Sequence, residues 1–250
     1  MVFRFLGSDT VELCTSACSR PFKIHQKLLE STCKAPAVAL KHDYLEGSSK
    51  RYTFTETTDD TVVQFIEWAY KGDYTGSTSA PIATPQENTS EDPPQSPISK
   101  PPSEHLEDIK VPQAHTLLSH LRVYVFSEVY LVSGLKQLSF QKFTAVLMDM
   151  GKPKDLDEQL AVIDRLALAF SRLPLHDKLL EWLAQYAAWC LDKLRVQSQF
   201  HNLLKSLPAI SSRMMEKLNP ANEAPWDTKW HNYKVPSYDA RADFFVPYEY

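Results

Sequence analysis

The chain has 250 residues, 43% of them hydrophobic, which is enough for a sizeable core in one large domain or in a small domain with a helical extension. Its formal net charge of -4 comes with interspersed signs and no run of Lys and Arg. That argues against nucleic acid as a partner, because neutralising phosphates takes clustered cations. No stretch approaches the ~18 apolar residues of a membrane helix, and the apolar run in MVFRFLGSD is too short for a signal peptide, so an intracellular protein, cytoplasmic or nuclear and without a membrane partner, is expected.

Residues 11–15 (VELCT) and 22–24 (FKI) flank the turn-rich SACSRP and predict a β-hairpin. HQKLLEST follows as a short helix, and RYTFTE, at 51–56, has the aromatic and Thr content of a strand. In TTDDTVVQFIEWAYKGDY, Thr58 or Asp59 is placed to cap a helix with acids in its first turn. Val62, Val63, Phe65, Ile66, Ala69 and Tyr70 then recur at helical spacing, and Gly72 ends the run. Residues 75–112 hold eight of the chain's 17 prolines, many Ser and Thr, and no aromatic residue. Such a segment buries too little apolar surface to offset its ordering entropy, so a disordered insert is expected. Thr84 and Ser96, each followed by proline, are candidate phosphosites, and PQSP matches an SH3-type ligand; a plain flexible loop is the blander reading of each.

From Leu117 onward the pattern is helical, with two helices around Ser133-Gly134 that end near Gly151 and Pro153. Leu156, Leu160, Ile163, Ala167 and Phe170 mark the next helix. After Pro174 comes the cleanest stripe, running through Leu179, Leu180, Leu183, Tyr186, Ala187, Cys190, Leu191 and Leu194. A shorter helix at 199–207 ends at Pro208, and SRMMEKL follows as a further short piece. Residues 219–250 are aromatic-rich, broken by Pro225, Pro236 and Pro247, and without periodicity. Such a tail either packs back on its own body or serves a partner as a linear peptide.

The sequence makes no positive case for catalysis. Its four cysteines, Cys14, Cys18, Cys33 and Cys190, include no CxxC, and no second pair completes a zinc site. His25, Cys33 and Asp9 are the members of a conceivable Cys–His arrangement, but no catalytic signature surrounds Cys33 in LESTCKAPAV. His25 and His42 lie too far apart in sequence to read as a ligand pair. Phosphate-cradling glycine patterns, a GxSxG elbow and an HExxH helix are all missing. The carboxylates of TDD and DLDE fall at predicted helix starts, which accounts for them through the helix dipole. Trp182 and Trp189, seven apart on one helix, read either as a platform for a base or sugar, or as core and groove-lining rings. No catalytic residue, cofactor or metal is expected.

Taken in order, SDTVELC, FKIHQKLLESTC, YLEGSSKRYTF, DDTVVQFIEWAYKGDY and RVYVFSEVYLVSGLKQLSFQKF resemble the successive segments of a BTB/POZ domain of the divergent fungal type. The resemblance spans residues 8 to 148 apart from the insert, and it lacks the aromatic residues that the family places after the position of Cys33. It implies an α+β fold in which a small β-sheet is capped by α-helices. The organisation expected is a BTB/POZ-like domain at 1–148, a helical extension at 149–218 and an irregular tail at 219–250. It also implies that His25 starts the first helix and pairs with Asp9 as a structural couple. The function implied is protein–protein interaction by a self-associating scaffold or adaptor, with Leu28, Leu29, Val38 and Leu40 near a homodimer face. An alternative is a substrate adaptor of a cullin-type ubiquitin ligase, gripping through Phe65, Trp68 and Tyr70; it is weakened because the insert lacks a hydrophobic-x-Glu element. A transcription-associated cofactor without its own DNA-binding domain is a further alternative.

Overall fold

A computed structural model describes residues 5, 7–16, 21–41, 45–76 and 113–218. Among them, eleven helices and one three-stranded sheet form a mixed α+β fold. The expected hairpin is present as β1 (Thr10–Thr15) and β2 (Phe22–His25), antiparallel with Val11 opposite Ile24. β1 alternates, burying Val11, Leu13 and Thr15 and leaving Thr10, Glu12 and Cys14 more open. The chain then runs through α1 (Gln26–Thr32), α2 (Lys34–Lys41) and α3 (Leu45–Ser49). β3 (Arg51–Phe54) joins the far side of β1 in parallel, giving the order β2-β1-β3. A parallel pair needs a crossover of roughly a dozen residues or more, and the three short helices supply it.

α4 (Asp59–Lys71) begins and ends where its signals predict. The Thr58 side chain accepts the Thr61 N–H at 3.4 Å, and Gly72, at φ +78°, closes the helix by donating its N–H to the Trp68 carbonyl at 2.7 Å. α5 (Gln113–Val129) and α6 (Ser133–Met150) are joined by three residues, among them Leu131 at φ +56°, so the break precedes Ser133-Gly134. α7 (Leu156–Arg172) is capped by the Asp155 carboxylate, which accepts the Glu158 N–H at 2.8 Å. The stripe expected to run unbroken to Leu194 is interrupted at Cys190, giving α8 (Lys178–Trp189) and the single turn α9 (Leu191–Leu194). α10 (Ser198–Ser206) follows, and α11 (Pro208–Lys217) starts on the proline expected to be a stop. Proline fits the first helical position, where no N–H bond is owed.

Two apolar clusters share α5. Val123 and Phe126, with Tyr130 just past the helix end, pack with Leu13, Phe54 and Phe65 on the sheet side. Leu117, Leu121 and Tyr124 pack with Phe143, Leu166 and Leu183 on the helical side. α5 is therefore buried on two faces and binds the halves together. The boundary expected at residue 148 falls inside α6, whose Phe143, Leu147 and Met150 belong to the helical cluster.

The segment leading out of α4 is held by a buried polar network. Tyr74, 1% exposed, shares a hydrogen bond with His120 Nδ1 at 2.9 Å, and Gln64 donates to Ser119 Oγ at 2.5 Å and to the Thr75 carbonyl at 3.2 Å. Gly76 lies so close to the His120 ring that an added Cβ would stand 2.6 Å from Cε1. Burial, helped by the nearby Lys142 ammonium, pushes His120 from 6.5 down to about 4, so it is neutral in the folded protein. The unfolded chain binds that proton more readily. Stability is therefore whole above about pH 6.5 and drains as pH falls toward 4, by up to about 3 kcal/mol. Urea titrations from about pH 7 to pH 4.5 should show this loss in the wild type, and His120→Gln should flatten it.

Candidate functional site

The residues singled out from sequence separate into core, surface and structural couples. His25 stands at the N-cap position of α1, but its side chain caps nothing. Its Nδ1 lies 2.6 Å from the Tyr70 hydroxyl, which also accepts the His25 backbone N–H at 3.1 Å. The Asp9 carboxylate instead pairs with Lys50 at 2.8 Å, which holds it below its ordinary pKa. The expected Asp9–His25 side-chain couple is thus corrected. β1 is the central strand, and Asp9 turns to the β3 side, where an ammonium waits, while His25 on β2 meets the phenol from α4. Backbone links the two regions, through the Gln26 N–H and the Asp9 carbonyl at 2.8 Å and through the β1–β2 ladder, where Thr10 stands opposite His25.

The expected dimer face also changes. Leu28, Leu29 and Leu40 belong to the sheet-side core, and only Val38, 55% exposed on α2, presents an apolar side chain outward. Of the expected partner helix, Phe65 is fully buried against Phe54 and Phe126. Trp68 is half-buried beneath Gly134, and Tyr70 is engaged with His25. Cys33 is fully buried with its Sγ 3.7 Å from the Tyr130 carbonyl, and burial pushes its thiol up to about 12. It therefore holds its proton at neutral pH and lacks the thiolate that nucleophilic attack requires. Cys18, His42, Thr84, Ser96 and the tail lie outside the described residues. Among the described residues no group of three or more His, Cys, Asp or Glu is placed to hold a metal ion, and no helix is long and apolar enough to cross a membrane.

What the surface does offer is an aromatic groove of about 380 Å³ between α6 and α8. Its floor is a ladder at i, i+4 and i+7 on α8. Trp182 and Tyr186 stack at 5.6 Å with their planes 10° apart, and Trp189 follows at 6.0 Å from Tyr186. The ladder is anchored by the Tyr186 hydroxyl, which donates to the Gly151 carbonyl at 2.6 Å, at the end of α6. Leu147 and Met148 line the opposite wall, and Gln185 supplies a polar edge. Lys152 sits 5.3 Å from the Trp189 ring while paired with Asp192 at 2.8 Å. Met148 is 72% exposed and Trp189 55%, so the groove is open. The seven-residue spacing of the two tryptophans signals this site in the sequence. Tyr186 is hidden there within the apolar stripe, and Met148 carries no sequence signal.

Comparison with protein-family models, curated proteins and solved structures finds no match to this chain.

A second cleft, of about 360 Å³, lies between the β3–α4 loop, α5 and α7. Its charged groups are Arg122, Glu56 and Arg172, and the last two pair with each other across the cleft.

Proposed function

We propose that this chain is a non-catalytic protein–protein interaction module, a self-associating scaffold or adaptor of the BTB/POZ type. The observation that carries the reading is the presentation of apolar side chains on rigid helices. Val38 on α2, and Met148 and Trp189 at the groove, are each more than half exposed. Met148 and Trp189 share one groove; contiguous exposed apolar surface marks interaction sites, and aromatic residues and Met are the side chains enriched in them. Three of the groups with chemical potential are used internally. His120 serves Tyr74, His25 serves Tyr70, and Cys33 is sealed in the core. The BTB/POZ assignment itself rests on the order of the five sequence segments. The cullin-adaptor variant keeps only Trp68 and Tyr70 of its expected contact residues near the surface.

Light scattering coupled to size exclusion tests self-association. The expected result is a mass near twice 28.6 kDa that persists on dilution, and Val38→Asp, at an exposed position, should move the chain to monomer without unfolding it. A monomer at every concentration removes the scaffold reading.

A further inference from the structure

We infer that the α6–α8 groove is the docking site of the chain's own tail, with residues 226–236 seated on the Trp182–Tyr186–Trp189 ladder. The inference deepens the interaction reading, on which it rests only in taking the groove as a docking surface.

The first argument is position. The described chain ends at Leu218, directly after α11, and α11 is clamped to α8 through one carboxylate. Arg213 bonds Glu181 at 3.0 Å, and Lys217, one residue before the end, pairs with the same Glu181. Glu181 immediately precedes Trp182, the first ring of the groove. The tail therefore departs beside the site. The second argument is reach. The ladder from Trp182 to Trp189 covers about 10 Å of helix at 1.5 Å per residue. The eight residues from Leu218 to Trp226 extend to at most about 27 Å, more than twice the length of the ladder, and they start from a residue adjoining the Lys217–Glu181 pair on α8.

The third argument is chemistry. Residues 219–250 carry Trp226, Trp230, Tyr233 and five more aromatic side chains, with prolines at 220, 225, 236 and 247. Proline keeps such a segment extended and lowers the entropy lost on docking. The groove offers what those rings need: a flat, parallel Trp–Tyr stack, a polarizable Met148 and an aliphatic Leu147. Both surfaces, left in water, are association hazards, and joining them removes both.

The test uses the full chain with a photo-crosslinking benzoylphenylalanine in place of Met148, a position exposed enough to accept it, and the same residue in place of Val38 as a control. Irradiation at high dilution, separation by mass and peptide mapping follow. The expected result is a crosslink from position 148 into residues 219–250 in the species of single-chain mass, with none from position 38. Replacing Trp226, Trp230 and Tyr233 together by alanine should lower its yield about tenfold, the equivalent of one or two lost aromatic contacts. A tail crosslink found only at twice the chain mass assigns the groove to a second copy's tail and overturns the inference. So does a crosslink to no part of the tail, or equal labelling from both positions. The signal is read at single-chain mass, so it does not depend on whether the protein self-associates, and the two readings fail separately.

Discussion

Asp177→Ala should cost about 4 kcal/mol of folding stability, measured as the loss of unfolding free energy in urea. Asp177 is 4% exposed and ties three helices together. It caps α8 by accepting the Leu179 N–H at 2.8 Å, accepts the Tyr124 hydroxyl of α5 at 2.7 Å, and pairs with Lys136 of α6 at 2.7 Å. Burial alone would raise its pKa, but Lys136, Tyr124 and the Leu179 N–H together hold it below the ordinary carboxylate value. Its contribution is therefore present above about pH 4 and lost as acid protonates the folded form. Alanine removes a cap, worth ~1 kcal/mol, strands the buried Tyr124 hydroxyl and leaves the half-buried Lys136 ammonium with Glu128 as its remaining carboxylate. Asp177→Asn keeps an acceptor for the cap but turns an amide toward Lys136, so about half of the loss should remain. Asp177 starts the helix that carries Trp182, Tyr186 and Trp189, so its removal should also loosen the groove.

Phe54→Ala should cost about 4 kcal/mol, within the range for deleting a buried aromatic ring. It should lower the melting temperature by roughly 12 °C for a chain of this size. Phe54 is fully buried at the end of β3. Its ring meets Tyr130 at 4.8 Å, Phe126 at 5.1 Å and Phe65 at 6.3 Å, all in edge-on geometry. The void left by alanine lies where the sheet, α4 and α5 converge, and three large rings cannot collapse into it without leaving their own rotamers. Phe54→Leu, which fills most of the volume, should lose only about 1 to 2 kcal/mol. Scanning calorimetry on the three proteins checks the order.

Elements with a local chemical signature were legible in the sequence. α4 announces itself through Thr58 and Gly72, α7 through Asp155, and the β1–β2 hairpin through its turn residues and β-rich flanks. α2 was not legible, because KAPAVALK is short and carries a proline at its third position. The break at Cys190 was hidden because the apolar stripe continues across it into α9. For the candidate site, Trp182 and Trp189 were visible as a spaced pair, whereas Met148 was not, because the wall it forms depends on how α6 lies against α8. The dimer-face leucines show the opposite limit. Leu28 and Leu29 have the composition of an interface, and only the packing of α1 on the sheet reveals them as core. The Asp9–His25 couple failed for a similar reason, since its true partners, Lys50 and Tyr70, arrive from elements distant in sequence.

The sharing of α5 between two cores has a consequence for biosynthesis. Thr55 donates its N–H to the Tyr130 hydroxyl at 3.2 Å across 75 positions of chain, and Phe54 beside it packs on that same ring. Much of the gap is residues 77–112. At roughly 5–20 residues per second, a ribosome takes about 4 to 15 seconds to deliver Tyr130 after Phe54. For that interval α4, with Phe65, is already made, but the side of the sheet-face core that α5 and the residue after it supply, through Phe126 and Tyr130, is still open. The chain is thus most vulnerable to aggregation while it is being made, and holdase chaperones acting on the nascent chain would find their target in strand β3.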